Sequence, residues 1–316
     1  YYLDADLYIK LVEQGPSRRY DTIKQDTFRI FKGNEEFHKK VPEEKLTRII
    51  NAFVWYNMPE HDISASFSDD EENGQFSNIF SPNNRTKYKS PNSNKSLRSS
   101  DHCLNSPNNL QPRSESLGIH YSEEKLLRVG GGYTQGMSVL CAPFLYEMPE
   151  VDAFFCFNLL LTKHIPQYVN SSLDGVLTGC SLISRVLEVV DPELFHHLDG
   201  TNHEHLMYFG FSFVMSLHAC MQPLEEILKI WDVLFAYGVH LEILIVVAQC
   251  VLLREKLLAD HKNPFTFLTL KSLQLQPFDA EILVACAFSL IPHIHQDLLD
   301  EIACHPIVSL DANGFR

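Results

Sequence analysis

From Leu241 to Leu258 the chain is apolar nearly all the way round a helix. A helix of that kind has no face to offer water, so other helices must enclose it. No run of roughly twenty uninterrupted apolar residues occurs, so the segment reads as the centre of a core and not as a membrane span. No strand alternation, hairpin signal or equal-period repeat appears elsewhere. The expected class is therefore all-α, with roughly ten to fourteen irregularly packed helices. At 316 residues, 45% of them apolar, the chain can build one large domain or two ordinary ones.

The other helices follow from periodicity and punctuation. Leu3 to Gln14 carries a partial apolar face and stops at Gly15-Pro16. Tyr20 to Phe31 puts Ile23, Thr27 and Ile30 on one face. Pro42 opens a helix through about Trp55. Gln135 to Met148 contains Pro143, which predicts a kink or a split. Val151 to His164 and Leu173 to Val190 follow, and Asp191-Pro192 begins the next helix with a cap and a first-turn proline. His203 to His218, Pro223 to Tyr237 with its closing Gly238, Asp279 to Ile291 and His295 to Cys304 complete the series.

Between 57 and 117 the apolar periodicity vanishes and Ser, Asn, Pro and charged residues dominate, which predicts a long disordered insert. Its Ser81-Pro82, Ser90-Pro91 and Ser106-Pro107 pairs are candidate phosphorylation sites, and a tolerated spacer is the plainer alternative. A short helix to Val129 then leads into the glycine run. The domain reading is 1–56, the insert 57–117, the remainder 118–305 and a fraying tail 306–316.

A net charge of −14 disfavours nucleic acid and anionic membranes as partners, both of which want a basic face. The eight cysteines form no C-x-x-C pair and mostly lie in apolar helical runs, as reduced buried residues do. The sequons at Asn84, Asn94 and Asn170 then carry no weight. The fifteen histidines, including His196, His197, His203, His205, His293 and His295, show no metal spacing. Trp231 is expected in the core, with Asp232 bonded to a backbone amide or a buried arginine.

The glycines ahead of Tyr133-Thr134-Gln135-Gly136-Met137 satisfy neither the phosphate-loop pattern nor the dinucleotide fingerprint, since Met137 stands where a lysine is needed and Gln135 where a glycine is. What they place at a loop-to-helix junction is Gln135. Its amide can orient a water or a carbonyl but cannot serve as acid, base or nucleophile.

Ile23, Asp26 and Arg29 (I-x-x-D-x-x-R), then Tyr133, Gln135, Gly136 and Met137 (Y-x-Q-G-M), then Leu228 to Asp232 with Gly238 closing the helix, resemble the TBC domain family. That family is all-helical and activates GTP hydrolysis by Rab-like small GTPases. The resemblance implies Arg29 as an arginine finger and Gln135 as a glutamine finger, meeting in space to act on another protein's nucleotide. Asp26 would fix the rotamer of Arg29, and Tyr133 and Gly136 would shape the glutamine loop. The chain would need no cofactor or metal of its own. GTP and magnesium would sit on a Ras-like or Rab-like partner.

Gly15-Pro16-Ser17, Asp26 to Arg29, Phe53, Trp55, Ile165 to Tyr168, Val190 to Pro192 and Leu228 to Ala248 resemble the fungal mitotic-checkpoint branch of that family more closely. This implies a two-component activator with a large scaffold subunit, in the cytoplasm and at the spindle pole body, restraining mitotic exit or septation. A membrane-trafficking activator and a catalytically silent scaffold are the alternatives. Two departures stand out. Ile30 occupies a position usually held by threonine, and the family's first helices are expected upstream of Tyr1.

Overall fold

The computed structural model describes residues 4–31, 34–57, 132–199, 204–259 and 278–308. Every regular element among them is helical. The insert from 58, the helix expected before Val129, and the tail beyond 308 lie outside the described residues.

α1 (Ala5–Glu13) starts where the Asp4 carboxylate accepts the Leu7 amide at 3.0 Å, and the chain turns away at Gly15, whose φ is +76°. α2 spans Tyr20–Thr27 and α3 spans Glu35–Lys40. α3 was not expected, because Phe37 is its one buried residue. The Asn34 side chain, accepting from Phe37 N–H at 3.0 Å, starts it. α4 (Glu43–Asn57) buries Leu46, Ile49, Ile50 and Phe53. It also fastens the turn after α1. Asn51 Oδ1 accepts from Ser17 N–H at 2.9 Å, while Asn51 Nδ2 and Trp55 Nε1 both donate to the Gly15 carbonyl. Asn57, expected to open the insert, is the last buried residue of α4 and donates to Phe53 O at 2.9 Å.

α5 (Met137–Glu147) runs through Pro143 as one helix, so of the expected kink or split the split does not occur. The proline's lost hydrogen bond falls in a helix already held by deep burial of Leu140, Cys141, Ala142 and Phe144. α6 (Glu150–Leu159) ends in a π-turn, Leu160–His164, and a 3₁₀ turn, Pro166–Tyr168. α1, α4 and α6 meet at one polar knot. Glu150 accepts from Tyr8 Oη at 2.6 Å and from both Nε and Nη2 of Arg48, at 2.5 and 2.6 Å.

α7 (Asp174–Val190) packs on α8 (Pro192–Asp199) and α9 (Glu204–Ser216). Asp191 caps α8 by accepting from Leu194 N–H at 3.0 Å. α10 (Leu224–Tyr237) buries Trp231, whose Nε1 donates to Leu217 O at 2.7 Å. Asp232 is exposed and makes no side-chain hydrogen bond or ion pair among the described residues.

The apolar segment that had read as one helix is two, α11 (Glu242–Leu252) and α12 (Arg254–Ala259). Every residue from Glu242 to Cys250 is buried, and α7, α9 and α13 (Ala280–Leu290) surround α11. The break at Leu253 turns Arg254 towards α8. There its guanidinium pairs with Asp191 at 2.7 Å and with Glu193, while Leu257 returns to the core. Asp279 caps α13 through Ile282 N–H at 3.0 Å. α14 (Gln296–Cys304) closes the described chain, and beyond it His305 and Pro306 remain buried. No helix among the described residues is long and apolar enough to cross a membrane.

Candidate functional site

α2 ends earlier than its periodicity suggested. Ile23, Asp26 and Thr27 are buried, and the Thr27 hydroxyl lies 3.0 Å from that of Thr47 on α4. The chain then tightens. Arg29 N–H donates to Asp26 O at 3.1 Å and Ile30 N–H to Thr27 O at 3.3 Å, and Phe31 reaches a φ of +42°. Ile30 is 6% exposed and plugs the core, and Phe31 meets Phe37 edge-on with ring centroids 4.9 Å apart. Phe28 and Arg29 are left facing out.

The second wall is the loop into α5. Tyr133 is 7% exposed, and its Oη donates to Asp26 Oδ2 at 2.5 Å. Gly136 N–H donates to the same oxygen at 3.0 Å. Gly136 caps α5 with a φ of +100°, a conformation that L-residues rarely adopt. Thr134 Oγ1 reaches the Val169 carbonyl at 3.5 Å. Between these anchors Gln135 is exposed, and its amide has no partner among the described residues.

Asp26 therefore does something other than was expected of it. Its carboxylate is expected to fix the Arg29 rotamer, yet among the described residues its side-chain hydrogen bonds go to the glutamine loop. The reason is burial. A carboxylate only 9% exposed needs donors, and the enclosed donors are the Tyr133 hydroxyl and the Gly136 amide. The Arg29 guanidinium stays in solvent and makes no hydrogen bond or ion pair among the described residues. Burial pushes the Tyr133 phenol well above its ordinary range. The Asp26 charge and hydrogen bond add to this, and the Arg29 charge opposes it. Tyr133 thus remains a protonated donor. One residue holds both segments: the Asp26 carbonyl binds the Arg29 backbone, and its side chain binds the residues on both sides of Gln135.

Beneath Gly136 lies Met215, whose Cε would stand 3.7 Å from an added Cβ. Three residues on, sequence reading missed a buried polar cluster. His218 Nδ1 lies 2.6 Å from Glu242 Oε1, and His218 Nε2 faces Gln249 Oε1 at 3.3 Å. Burial raises the Glu242 carboxyl and His218 pulls it back. The one available signal was a glutamate at the head of the most apolar run in the chain. Among the described residues no group of His, Cys, Asp or Glu is placed to hold a metal.

The Rab-GTPase-TBC domain profile matches residues 126–258, which include Gln135 and follow Asp26 and Arg29. The cell division control protein 16 of Schizosaccharomyces pombe is 30% identical over 303 residues, covering 96% of this chain and 75% of that protein. This chain belongs to the Rab-GTPase-TBC domain family. The putative mitotic check point protein BUB2 of Dictyostelium discoideum is 28% identical over 99% of the chain and 64% of its own length. The mitotic check point protein BUB2 of Saccharomyces cerevisiae is 27% identical over 94% of the chain and 77% of its own length. The chain thus spans about two thirds to three quarters of the curated relatives it matches. Its family identity accords with the all-helical architecture and with the in-order motifs at Ile23–Arg29, Tyr133–Met137 and Leu228–Gly238.

Proposed function

We propose that this TBC-family chain is a GTPase-activating protein for a Ras-like or Rab-like small GTPase, working within a two-component complex that restrains mitotic exit or septation. Arg29 enters the partner's site and neutralises charge that develops on the transferring phosphoryl group. Gln135 orients the attacking water through its amide, as a side chain without acid or base function can. GTP and magnesium belong to the partner.

One observation carries this reading. A single buried carboxylate, Asp26, braces the backbone around Gln135, while Arg29 and Gln135 themselves stay exposed with no partner among the described residues. Donors held ready but unspent suit a site completed by another molecule. The mitotic assignment is supported by likeness to a cell division control protein and two mitotic check point proteins over 94–99% of this chain. A large scaffold as the second component, and a spindle-pole location, follow that branch of the family.

The test is single-turnover GTP hydrolysis by a panel of Ras-like and Rab GTPases, with full-length protein and its scaffold present. Arg29→Ala is expected to lower the acceleration by on the order of 10³–10⁵, and Gln135→Ala to remove most of it, with binding retained in both. Acceleration of a trafficking Rab alone would reassign the partner. Binding without acceleration of any GTPase would make the chain a scaffold.

A further inference from the structure

The last two residues of α2 reach in different directions. Asp26 holds the loop around Gln135, while Thr27, 2% exposed, turns to α4. Its hydroxyl donates to the Lys24 carbonyl at 3.1 Å and lies 3.0 Å from the hydroxyl of Thr47, itself 4% exposed. A hydroxyl has one proton to give. With that of Thr27 given to Lys24, the proton between the two threonines comes from Thr47. The Lys24 carbonyl also accepts the Phe28 amide at 3.2 Å, and the amides of Arg29 and Ile30 then reach back three residues instead of four. The Thr27 hydroxyl thus sits where α2 tightens into the turn that carries Arg29.

The same side of α4 supports the glutamine loop. A Cβ added at Gly132 would meet Val54 Cγ1 at 3.4 Å, and Val54 stands two turns, about 10 Å, beyond Thr47 on the helix. Ile49, Ile50 and Phe53 between them are fully buried, so this stretch of α4 is held firmly. Thr47 therefore touches the base of the arginine turn, and Val54 the base of the glutamine loop. A buried hydroxyl pair returns little net stability over two apolar groups of the same shape. What it adds is direction. Apolar contact tolerates sliding and rotation, whereas a hydrogen bond between two enclosed hydroxyls fixes the end of α2 two residues before Arg29.

We propose that the Thr27–Thr47 hydroxyl pair positions Arg29, by fixing the end of α2 in one register on the helix that also supports the glutamine loop. This rests on the reading of Arg29 as the arginine finger. Both threonines are buried, so they act through the backbone of the turn and not on the nucleotide.

The experiment uses the full-length protein with its scaffold and the panel of Ras-like and Rab GTPases. It reads the maximal rate, the half-saturating concentration, thermal unfolding, and binding to the GTPase carrying GDP and fluoroaluminate, a mimic of the transferring phosphoryl group. The paired change Thr27→Val with Thr47→Val removes both hydroxyls and keeps their shape, so thermal unfolding should stay near wild type. The maximal rate is expected to fall about tenfold or more, with the half-saturating concentration within about twofold of wild type. Binding of the fluoroaluminate complex should weaken by a similar factor, and should weaken no further when the paired change is added to Arg29→Ala. Thr47→Ser, which retains the hydroxyl, should keep the wild-type rate. A wild-type maximal rate in the paired variant overturns the proposal, as does a Thr47→Ser variant as slow as the paired one. A loss shared equally by rate, ground-state binding and thermal stability also overturns it, as does a paired variant that no longer folds, since either makes the pair part of the core alone. If Arg29→Ala loses the rate and the paired variant does not, only the positioning role fails. If Arg29→Ala keeps the rate, or wild type accelerates no GTPase, the finger reading fails and the positioning role falls with it.

Discussion

The carboxylate of Asp26 accepts the amide proton of Gly136 at 3.0 Å, across 110 positions of sequence. The same oxygen accepts the Tyr133 hydroxyl. Asp26→Ala would strand two donors, one of them on a nearly buried phenol. We expect a loss of about 1–3 kcal/mol in unfolding free energy, read by denaturant titration, together with loss of activation. In a double-mutant cycle, Tyr133→Phe on top of Asp26→Ala should cost less than the sum of the two single changes, because the two groups serve one interaction.

Gly136 has room for a methyl group, since an added Cβ would meet Met215 at 3.7–3.8 Å, an ordinary contact. Its φ of +100° is the obstacle. Gly136→Ala should therefore cost about 1–2 kcal/mol through backbone conformation alone. A shift of the loop would also move Gln135, so activation should fall further than the thermal midpoint suggests. Equal thermal midpoints for variant and wild type would contradict this account.

Arg29→Lys keeps the charge but removes the planar, forked donor set. The side chain is exposed and pairs with nothing among the described residues, so thermal unfolding should not change. Activation measured under single-turnover conditions should fall nearly as far as in Arg29→Ala. Retention of wild-type activation by the lysine variant would mean that positive charge alone suffices at this position.

His218 and Glu242 are both fully buried, and Glu242 Oε2 has no hydrogen-bond partner among the described residues. His218→Ala would leave a carboxyl group enclosed with no partner from His218, at a cost of about 1–3 kcal/mol. A paired apolar replacement, His218→Leu with Glu242→Met, should cost less than the single change. Chemical denaturation of the two variants compares them directly.

His305 gives a pH signature. Burial lowers its imidazole to about 4, against the pull of the Ile302 carbonyl, with His240 reinforcing the drop. The folded state then binds fewer protons than the unfolded chain between about pH 6.5 and about pH 4. The stability associated with His305 is thus full above about 6.5, declines as pH falls, and levels off below about 4, a loss on the order of 3 kcal/mol. His305→Gln can keep a bond to the Tyr168 hydroxyl, which lies 2.7 Å from Nε2, and should flatten that slope. An unaltered slope in the variant would assign the pH dependence to other groups.

Sequence alone determined the helical class, most helix positions, and the two motifs that carry Arg29 and Gln135. These are local properties. A cap such as Asp191 or Asp279 acts within three residues, and apolar periodicity reports only neighbours one turn apart. Local reading erred where a distant partner outweighed local preference. α2 stops at Thr27 because Ile30 and Phe31 find core places beyond the helix, and the apolar run breaks at Leu253 so that Arg254 can reach α8. The short α3, with a single buried residue, gave no periodic signal at all. Tertiary structure alone decided what Asp26 and Glu242 do. Burial strips a carboxylate of water and obliges it to take whichever donors the fold encloses with it, and no pattern along the chain records which those are.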